Sequence, residues 1–147
     1  MIIKYKGLRD IFHRQGLALT HQRQAVYEAL ATTKVHPTAE SLYQKLRSRH
    51  PNLSLATVYK NLRTLERAGL ARVVDSPLAQ ARFDALTRTH HHAICGRCGK
   101  IKDVFDASLD RLRPPRGLSG FKALRHCVQF HGLCAACAKK SQRRKKQ

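Results

Sequence analysis

The segment PNLSLATVYKNLRTLERAGL at residues 51–70 decides the fold, because it contains a whole helix together with its start and stop signals. Ser54 is a good N-cap, since a serine hydroxyl accepts a hydrogen bond from a backbone N–H of the first turn. Gly69 suits the left-handed conformation that commonly ends a helix. Between them, apolar residues recur every three or four positions and form one stripe: Leu55, Val58, Leu62 and Leu65. The segment therefore predicts an amphipathic helix with one buried face.

Two further helices are predicted before this segment. Thr20 can cap a helix over residues 22–31. Pro37 and Thr38 begin another helix, and its apolar positions follow the i, i+3, i+4, i+7 pattern at Ala39, Leu42, Tyr43 and Leu46.

A two-stranded hairpin is predicted directly after the third helix. ARVVD (71–75) and QARFD (80–84) have strand character and are separated by a turn that contains Ser76 and Pro77. Three helices followed by a hairpin is the element order of a winged helix-turn-helix, in which the third helix reads DNA.

The third predicted helix carries a polar face opposite its apolar stripe. Hydroxyl and amide groups can bond to base edges, a tyrosine ring can pack on a thymine methyl group, and cations can contact phosphates. An ordinary solvated helix face is the alternative interpretation. The candidate DNA-binding residues are Thr57, Tyr59, Lys60, Asn61, Arg63 and Thr64.

The second half of the chain has a different character. Strands are predicted at HAIC (92–95), at KIKDV (100–104) and over residues 121–130, with a short helix over 107–112 and a loop over 114–117. A small sheet with exposed edges commonly pairs with a copy of itself, so we expect a homodimer.

These elements predict an α+β chain in three regions. An N-terminal winged helix-turn-helix domain is expected over residues 1–84, and a small C-terminal α/β dimerisation domain over residues 85–140. Residues 141–147 are expected to form a disordered basic tail, which either aids solubility or contacts DNA.

The charge of the chain favours a polyanionic partner. Its 29 Lys and Arg residues exceed its 9 Asp and Glu residues, which gives a formal net charge of +20. Such an excess usually reflects nucleic-acid binding, so we expect a double-stranded DNA operator as partner. The sequence has neither an apolar run of membrane-spanning length nor a signal peptide, and we expect a cytoplasmic location with no membrane partner.

The five cysteines favour metal binding over disulfides in that compartment. Four thiolates in two C-x-x-C pairs favour zinc in a closed structural site, with a redox pair as the alternative. The fifth, Cys127, is predicted to be a buried apolar thiol, with a reactive thiol as its alternative. The paired cysteines are Cys95, Cys98, Cys134 and Cys137.

A second group of candidate metal ligands surrounds the run of histidines. On a strand, His90 and His92 point to one face and His91 points to the other. Asp103 lies in the next predicted strand and could join the first pair. A polar surface patch is the alternative interpretation of this run.

Six motifs, in their order along the chain, resemble the ferric uptake regulator (Fur) family. They are RQGLALTHQRQAV, HPTAESLY, PNLSLATVYKNLRTLERAGL, ARFD, HHHAICGRCGKIKDV and GFKALRHCVQFHGLCAAC. The resemblance extends from about Leu8 to Lys140 and is greatest for the peroxide-responsive branch of the family. It implies a metal-dependent DNA-binding transcriptional repressor.

The resemblance also implies a regulatory Fe(II) or Mn(II) site that joins the two domains, a structural zinc on the paired cysteines, and a recognition helix containing Tyr59. Three imidazoles and two carboxylates suit Fe(II), Mn(II) or zinc. The two aspartates fit peroxide sensors, whereas iron-responsive relatives more often have glutamate there. The implied ligands are His36, Asp84, His90, His92 and Asp103.

The expected function is repression that peroxide relieves, through iron-catalysed oxidation of a histidine ligand. A repressor that responds to the iron level is the alternative within this class. A non-haem iron enzyme is disfavoured, because five protein ligands leave little room for a substrate. A nonspecific basic chromatin protein would explain the charge and leave the metal ligands unexplained.

A candidate additional metal site consists of His91, Asp110 and His126, which match part of a further site in some family members. Thr89 stands where those members usually have histidine, so solvent exposure is the favoured interpretation of this group.

Overall fold

The computed structural model divides the chain into two units, Met1–Thr87 and Arg88–Gln147. The division falls three residues after the predicted domain boundary at residue 84. The structure describes residues 3, 5–33, 35–75, 80–118 and 120–144. The predicted turn at Ser76 and Pro77 lies outside these described residues.

The described part of the first unit consists of four helices and a hairpin. Residues Thr20, Thr38 and Ser54 cap the last three helices, each accepting a hydrogen bond from the backbone N–H three residues further on. Gly69 has φ +70° just after the fourth helix, as its stop signal predicts. The elements are α1 (Tyr5–Arg14), α2 (His21–Ala31), α3 (Ala39–Leu46), α4 (Leu55–Arg67), β1 (Arg72–Val74) and β2 (Arg82–Asp84).

Helix α1 is not among the predicted elements. Its Leu8 and Phe12, one turn apart, are fully buried and join the core of the first unit. That core is centred on the predicted apolar stripe of α4, where Val58, Leu62 and Leu65 are all fully buried. The helix packing places the opposite face of α4 at the surface.

The hairpin confirms the predicted wing. Strands β1 and β2 pair antiparallel, with Arg72 opposite Asp84 and Val74 opposite Arg82. The Phe83 backbone N–H donates to the Pro37 carbonyl oxygen at 3.0 Å, which ties β2 to the start of α3. The first unit is therefore a winged helix-turn-helix with an additional N-terminal helix.

The second unit is built on a three-stranded sheet in the order β4-β3-β5. Strand β4 pairs antiparallel with β3, and β5 pairs parallel with β3 on its other side. The elements are β3 (His91–Cys95), β4 (Ile101–Val104), α5 (Ala107–Asp110), a 3-10 turn (Arg116–Leu118), β5 (Gln129–Gly132) and α6 (Ala135–Arg144).

Two expectations for the second unit are wrong. The strand predicted over residues 121–130 begins at Gln129, and residues 121–128 are irregular, because backbone pairing with β3 starts only at Gln129, opposite His92. The tail predicted to be disordered is helical over residues 141–144, because α6 extends into it as far as Arg144, and residues 145–147 lie outside the described residues. Within the described residues, no helix is both long and apolar enough to cross a membrane.

Candidate metal centres and DNA-binding helix

Helix α4 presents an exposed face that contains Tyr59, Lys60 and Arg63. Thr57 is half-buried in the first turn, and its hydroxyl lies 2.8 Å from Ser54 Oγ. Two cations and an aromatic ring on one exposed helix face are suited to contact phosphates and base edges.

The predicted exposed face is wrong at two positions. Asn61 and Thr64 are 4% and 9% exposed, on the buried side of α4. The Thr64 hydroxyl donates to the Lys60 carbonyl oxygen at 2.9 Å, so it is used within the helix. Helices α2 and α3 both pack on α4. The buried face of α4 is therefore wider than the stripe formed by its four apolar residues.

A hydrogen bond between two helices holds the Tyr59 side chain. Its hydroxyl donates to Glu40 Oε1, in the first turn of α3, at 2.6 Å. This bond lowers the pKa of Glu40 and raises the pKa of Tyr59, because it stabilises the carboxylate and retains the phenol proton. Sequence reasoning did not single out Glu40, since the two residues lie 19 positions apart on different helices.

The four paired cysteines come together in the second unit. Their sulfur atoms all lie within 4.8 Å of one another. Cys95 ends β3, where it is opposite Gly132 in the parallel register with β5, and Cys134 follows two residues after Gly132. Strand pairing therefore closes the gap between the two C-x-x-C motifs, and the second pair is completed by Cys137 in the first turn of α6.

Backbone N–H groups prepare this cluster to hold a cation. The Cys134 N–H, which lies 3.3 Å from Cys95 Sγ, and then the Cys98 N–H lower the pKa of Cys95 to about 6. The Cys137 N–H lowers the pKa of Cys134. Burial raises the pKa of the Cys137 thiol to about 12, so this sulfur needs a cation to ionise near neutral pH. Four convergent sulfurs with such donors fit a tetrahedral zinc ion.

His90, His92 and Asp103 form a second group within the same unit. The Nε2 atoms of the two histidines are 3.0 Å apart, and each lies 3.9 Å from Asp103 Oδ1. The antiparallel pairing of β3 and β4 places His92 opposite Asp103. Both imidazoles are buried and Asp103 is half-buried. Two imidazole nitrogens and a carboxylate that converge in this way fit a divalent metal ion.

His36 and Asp84, the remaining implied ligands, both belong to the first unit. Asp84 ends β2, and its Oδ1 accepts a hydrogen bond from the Leu86 backbone N–H at 2.7 Å. His36 precedes α3, and its carbonyl oxygen accepts a hydrogen bond from Arg82 Nη1 at 3.2 Å. Both side chains are buried, His36 at 6% and Asp84 at 9% exposure.

Two members of the third predicted group, Asp110 and His126, are exposed as expected, whereas His91 is fully buried. Its Nδ1 accepts a hydrogen bond from the Val128 backbone N–H at 3.1 Å, and its Nε2 lies 3.1 Å from Asp110 Oδ1. The His126 ring stacks on it at 5.8 Å, while His126 Nε2 lies 2.6 Å from the Leu109 carbonyl oxygen. Within the described residues these three do not form a convergent metal-binding group.

Cys127 is not the buried thiol that was predicted. It is exposed, and its sulfur lies 3.6 Å from Nδ1 of His92. A free cysteine commonly behaves as a small apolar side chain and is buried, but this part of the chain is irregular and remains at the surface.

A winged helix with an exposed basic face, followed by a unit with two groups of metal-binding side chains, defines a metal-binding transcriptional regulator of the helix-turn-helix class. The ferric uptake regulator family model matches residues 14–131. The chain therefore belongs to the ferric uptake regulator family, which consists of metal-dependent DNA-binding regulators rather than enzymes.

Curated relatives carry peroxide-related names. The peroxide operon regulator of Bacillus subtilis is 40% identical over 136 residues, which cover 92% of this chain and 94% of that protein. The peroxide-responsive repressor PerR of Staphylococcus saprophyticus is 36% identical over 126 residues, which cover 85% of each chain.

Solved structures have the same fold. The Helicobacter pylori ferric uptake regulator Fur matches with a TM-score of 0.74 at 24% identity, covering 90% of each chain. PerR from Streptococcus pyogenes matches with a TM-score of 0.54 at 28% identity, covering 90% of this chain and 92% of its own.

Proposed function

We propose that this chain is a peroxide-responsive repressor whose hold on DNA depends on a divalent metal. The observation that carries the proposal is the convergent group of two buried histidines, His90 and His92, with the half-buried Asp103, in which the carboxylate is aspartate. The relatives named as peroxide regulators, at 35–40% identity, support the same signal.

His36 and Asp84 complete the regulatory site in this proposal. Each is a buried side chain able to donate one ligand atom, and they come from the winged-helix unit. Fe(II) or Mn(II) held by all five residues would link the position of the DNA-binding helix to metal occupancy. Linkage then requires metal to strengthen DNA binding and DNA to strengthen metal binding by the same factor.

The sensing step is oxidation of a ligand, and the residue assigned to it is His36 or His90. Fe(II), when held by these residues, would supply the redox chemistry that activates hydrogen peroxide. In the balanced reaction the imidazole ring is the two-electron reductant: one peroxide oxygen would be inserted at a ring C–H bond, and the O–O bond would break with the other oxygen leaving as water. An oxidised imidazole is a poorer ligand, so metal affinity falls and the DNA-binding arrangement is lost.

The four paired cysteines hold a structural zinc in this proposal. Their sulfurs converge within one unit, and backbone N–H groups stabilise the thiolates. Zinc sites made of four cysteine ligands are closed to substrates and contribute folding free energy. This site supports the sheet that carries His92 and Asp103, and it does not take part in sensing.

The DNA partner is a double-stranded operator bound by a homodimer in the cytoplasm. Thr57, Tyr59, Lys60 and Arg63 are the candidate contacts that remain on the accessible side of α4. Family members act as dimers, and exposed apolar side chains of the second unit, such as Phe121 at 65% exposure, are suited to self-association.

The proposal is tested by measuring operator affinity at a stated salt concentration, with Mn(II) and with Fe(II), before and after peroxide. Both metals should strengthen binding, and low peroxide should release DNA from the iron form while the manganese form stays bound. Mass spectrometry of the iron form should show one added oxygen on His36 or His90.

Three results would contradict parts of the proposal. Equal DNA affinity with and without metal would exclude metal-dependent repression. A response to iron supply without release by low peroxide would identify an iron-level sensor. Release by peroxide from an unmodified protein would exclude histidine oxidation.

A further inference from the structure

The two buried histidines of the regulatory group differ in what their second ring nitrogen contacts. His90 Nδ1 lies 2.9 Å from the Arg88 carbonyl oxygen. His92 Nδ1 lies 3.6 Å from the sulfur of Cys127. The Nε2 atoms of both rings point into the cluster, since they are 3.0 Å apart. Each ring therefore turns one nitrogen toward the metal-binding group and the other toward a supporting atom.

Such supporting atoms set how well an imidazole binds metal. When Nε2 is a ligand, the ring proton lies on Nδ1, and an acceptor for that proton fixes the tautomer and raises the basicity of Nε2. A backbone carbonyl is a strong acceptor, whereas sulfur is a weak one. His90 has the stronger support and His92 the weaker.

The backbone on the C-terminal side of Cys127 is fixed against β3. The His92 N–H donates to the Val128 carbonyl oxygen at 3.0 Å, and the Val128 N–H donates to His91 Nδ1 at 3.1 Å. The next residue, Gln129, begins the parallel pairing with β3 opposite His92. The residue after Cys127 is thus held to β3, the strand that carries His92, by two hydrogen bonds. These bonds fix the position of Cys127 even though its side chain is exposed.

We propose that Cys127 is a positioning residue of the regulatory site: its neutral thiol accepts the Nδ1 proton of His92 and so directs Nε2 toward the metal. Because sulfur is a weak acceptor, this contact supports the His92 ring less firmly than the Arg88 carbonyl oxygen supports the His90 ring. This inference rests on the proposed function, since it assigns a role to Cys127 at the same metal site.

The first test compares the Mn(II) affinity of the zinc-loaded full chain with that of Cys127→Ala. Loss of a partner of this kind lowers metal affinity 10–100-fold in general, and we expect about a 10-fold loss here because sulfur is a weak acceptor. Leu124→Ala is the matched control, since it shortens an exposed side chain in the same irregular segment. It should bind Mn(II) as the unmodified chain does.

The second test distinguishes positioning from a general structural role. Cys127→Asn offers a stronger oxygen acceptor and should restore Mn(II) affinity to at least the level of the unmodified chain. In the zinc-saturated protein, nitrogen NMR of the His92 ring should show a protonated Nδ1, and its proton should exchange with water faster in Cys127→Ala. Unchanged zinc content and thermal stability in all variants would show that folding is intact.

Unchanged Mn(II) affinity in Cys127→Ala would overturn the inference, as would equal losses in the Ala and Asn variants. His92→Ala separates this failure from failure of the proposed function. If His92→Ala loses Mn(II) while Cys127→Ala does not, the inference about Cys127 alone is wrong. If His92→Ala keeps full Mn(II) affinity, the regulatory site itself is wrong.

Discussion

The two metal-binding groups of the second unit differ in how the chain prepares them. The cysteine group takes all four ligands from one unit, and backbone N–H groups lower the pKa of Cys95 to about 6. The histidine group combines neutral imidazoles with one carboxylate, and one of its rings is supported by a sulfur atom. The first arrangement favours permanent retention of a metal, and the second favours an equilibrium that a signal can shift.

The largest expected effect comes from breaking the cysteine group. Cys95→Ser should abolish zinc binding and unfold the second unit, because structural zinc contributes ~10–16 kcal/mol in zinc-finger peptides and a whole domain is stable by ~5–15 kcal/mol. Zinc content and circular dichroism measure the outcome. Serine at the fifth cysteine, Cys127→Ser, is the matched control and should retain its zinc. A folded, zinc-free Cys95→Ser protein would refute the structural role.

A smaller and more selective effect is expected from His90→Ala. This variant should keep its zinc and its fold, but lose the metal-dependent increase in operator affinity, which is about 5–150-fold for a typical coupling. DNA affinity with and without Mn(II) measures it, alongside zinc content. If His90→Ala lost zinc as well, the two groups would not be independent.

Treatment with a chelator compares how firmly the two groups hold their metals without any mutation. Brief treatment with EDTA should remove Mn(II) from the regulatory site and lower operator affinity to that of the metal-free protein, and added Mn(II) should restore it. Zinc should remain, because four thiolates bind it more tightly than imidazole and carboxylate ligands bind Mn(II). Elemental analysis after each step checks both metals. Zinc loss at the same rate as manganese loss would contradict the distinction.

The same contrast explains what could be predicted from the sequence. The spacing within C-x-x-C is local, so Cys95 and Cys98 predict a knuckle without knowledge of the fold, and α4 is equally local between Ser54 and Gly69. The contact of His92 with Cys127 spans 35 positions and depends on the β3–β5 register, which no local pattern specifies.

Burial was the other property that local patterns specified poorly. The apolar stripe of α4 predicts its buried centre, yet Asn61 and Thr64 lie beyond the edge of the stripe and are buried by packing from α2 and α3. Cys127 shows the reverse error, because a free thiol, which is commonly buried, stays exposed when its segment does not pair as a strand. In both cases tertiary packing overrides the local pattern.

The smallest expected effect lies in the first unit and leaves both metal groups unchanged. Tyr59→Phe keeps the ring on the exposed face of α4 but removes the hydroxyl that donates to Glu40. The pKa of Glu40 should therefore rise toward its ordinary value, because the bond to Tyr59 is the main cause of its depression. A carboxyl titration by carbon NMR measures this directly, and zinc and Mn(II) affinity should be unchanged.

The sign of the accompanying stability change follows from that depressed pKa. The folded-state pKa of Glu40 is lower than its unfolded-state pKa of 4.5, so the carboxylate stabilises the fold at pH values above 4.5. This stabilisation is lost as the pH falls through the folded-state pKa. Tyr59→Phe should lose up to about 1 kcal/mol near neutral pH, since the bond is largely solvent-exposed. The loss should shrink below pH 4.5, as the carboxylate is protonated in both proteins. A difference that persists at low pH would show that the phenol stabilises α4 by packing rather than through Glu40.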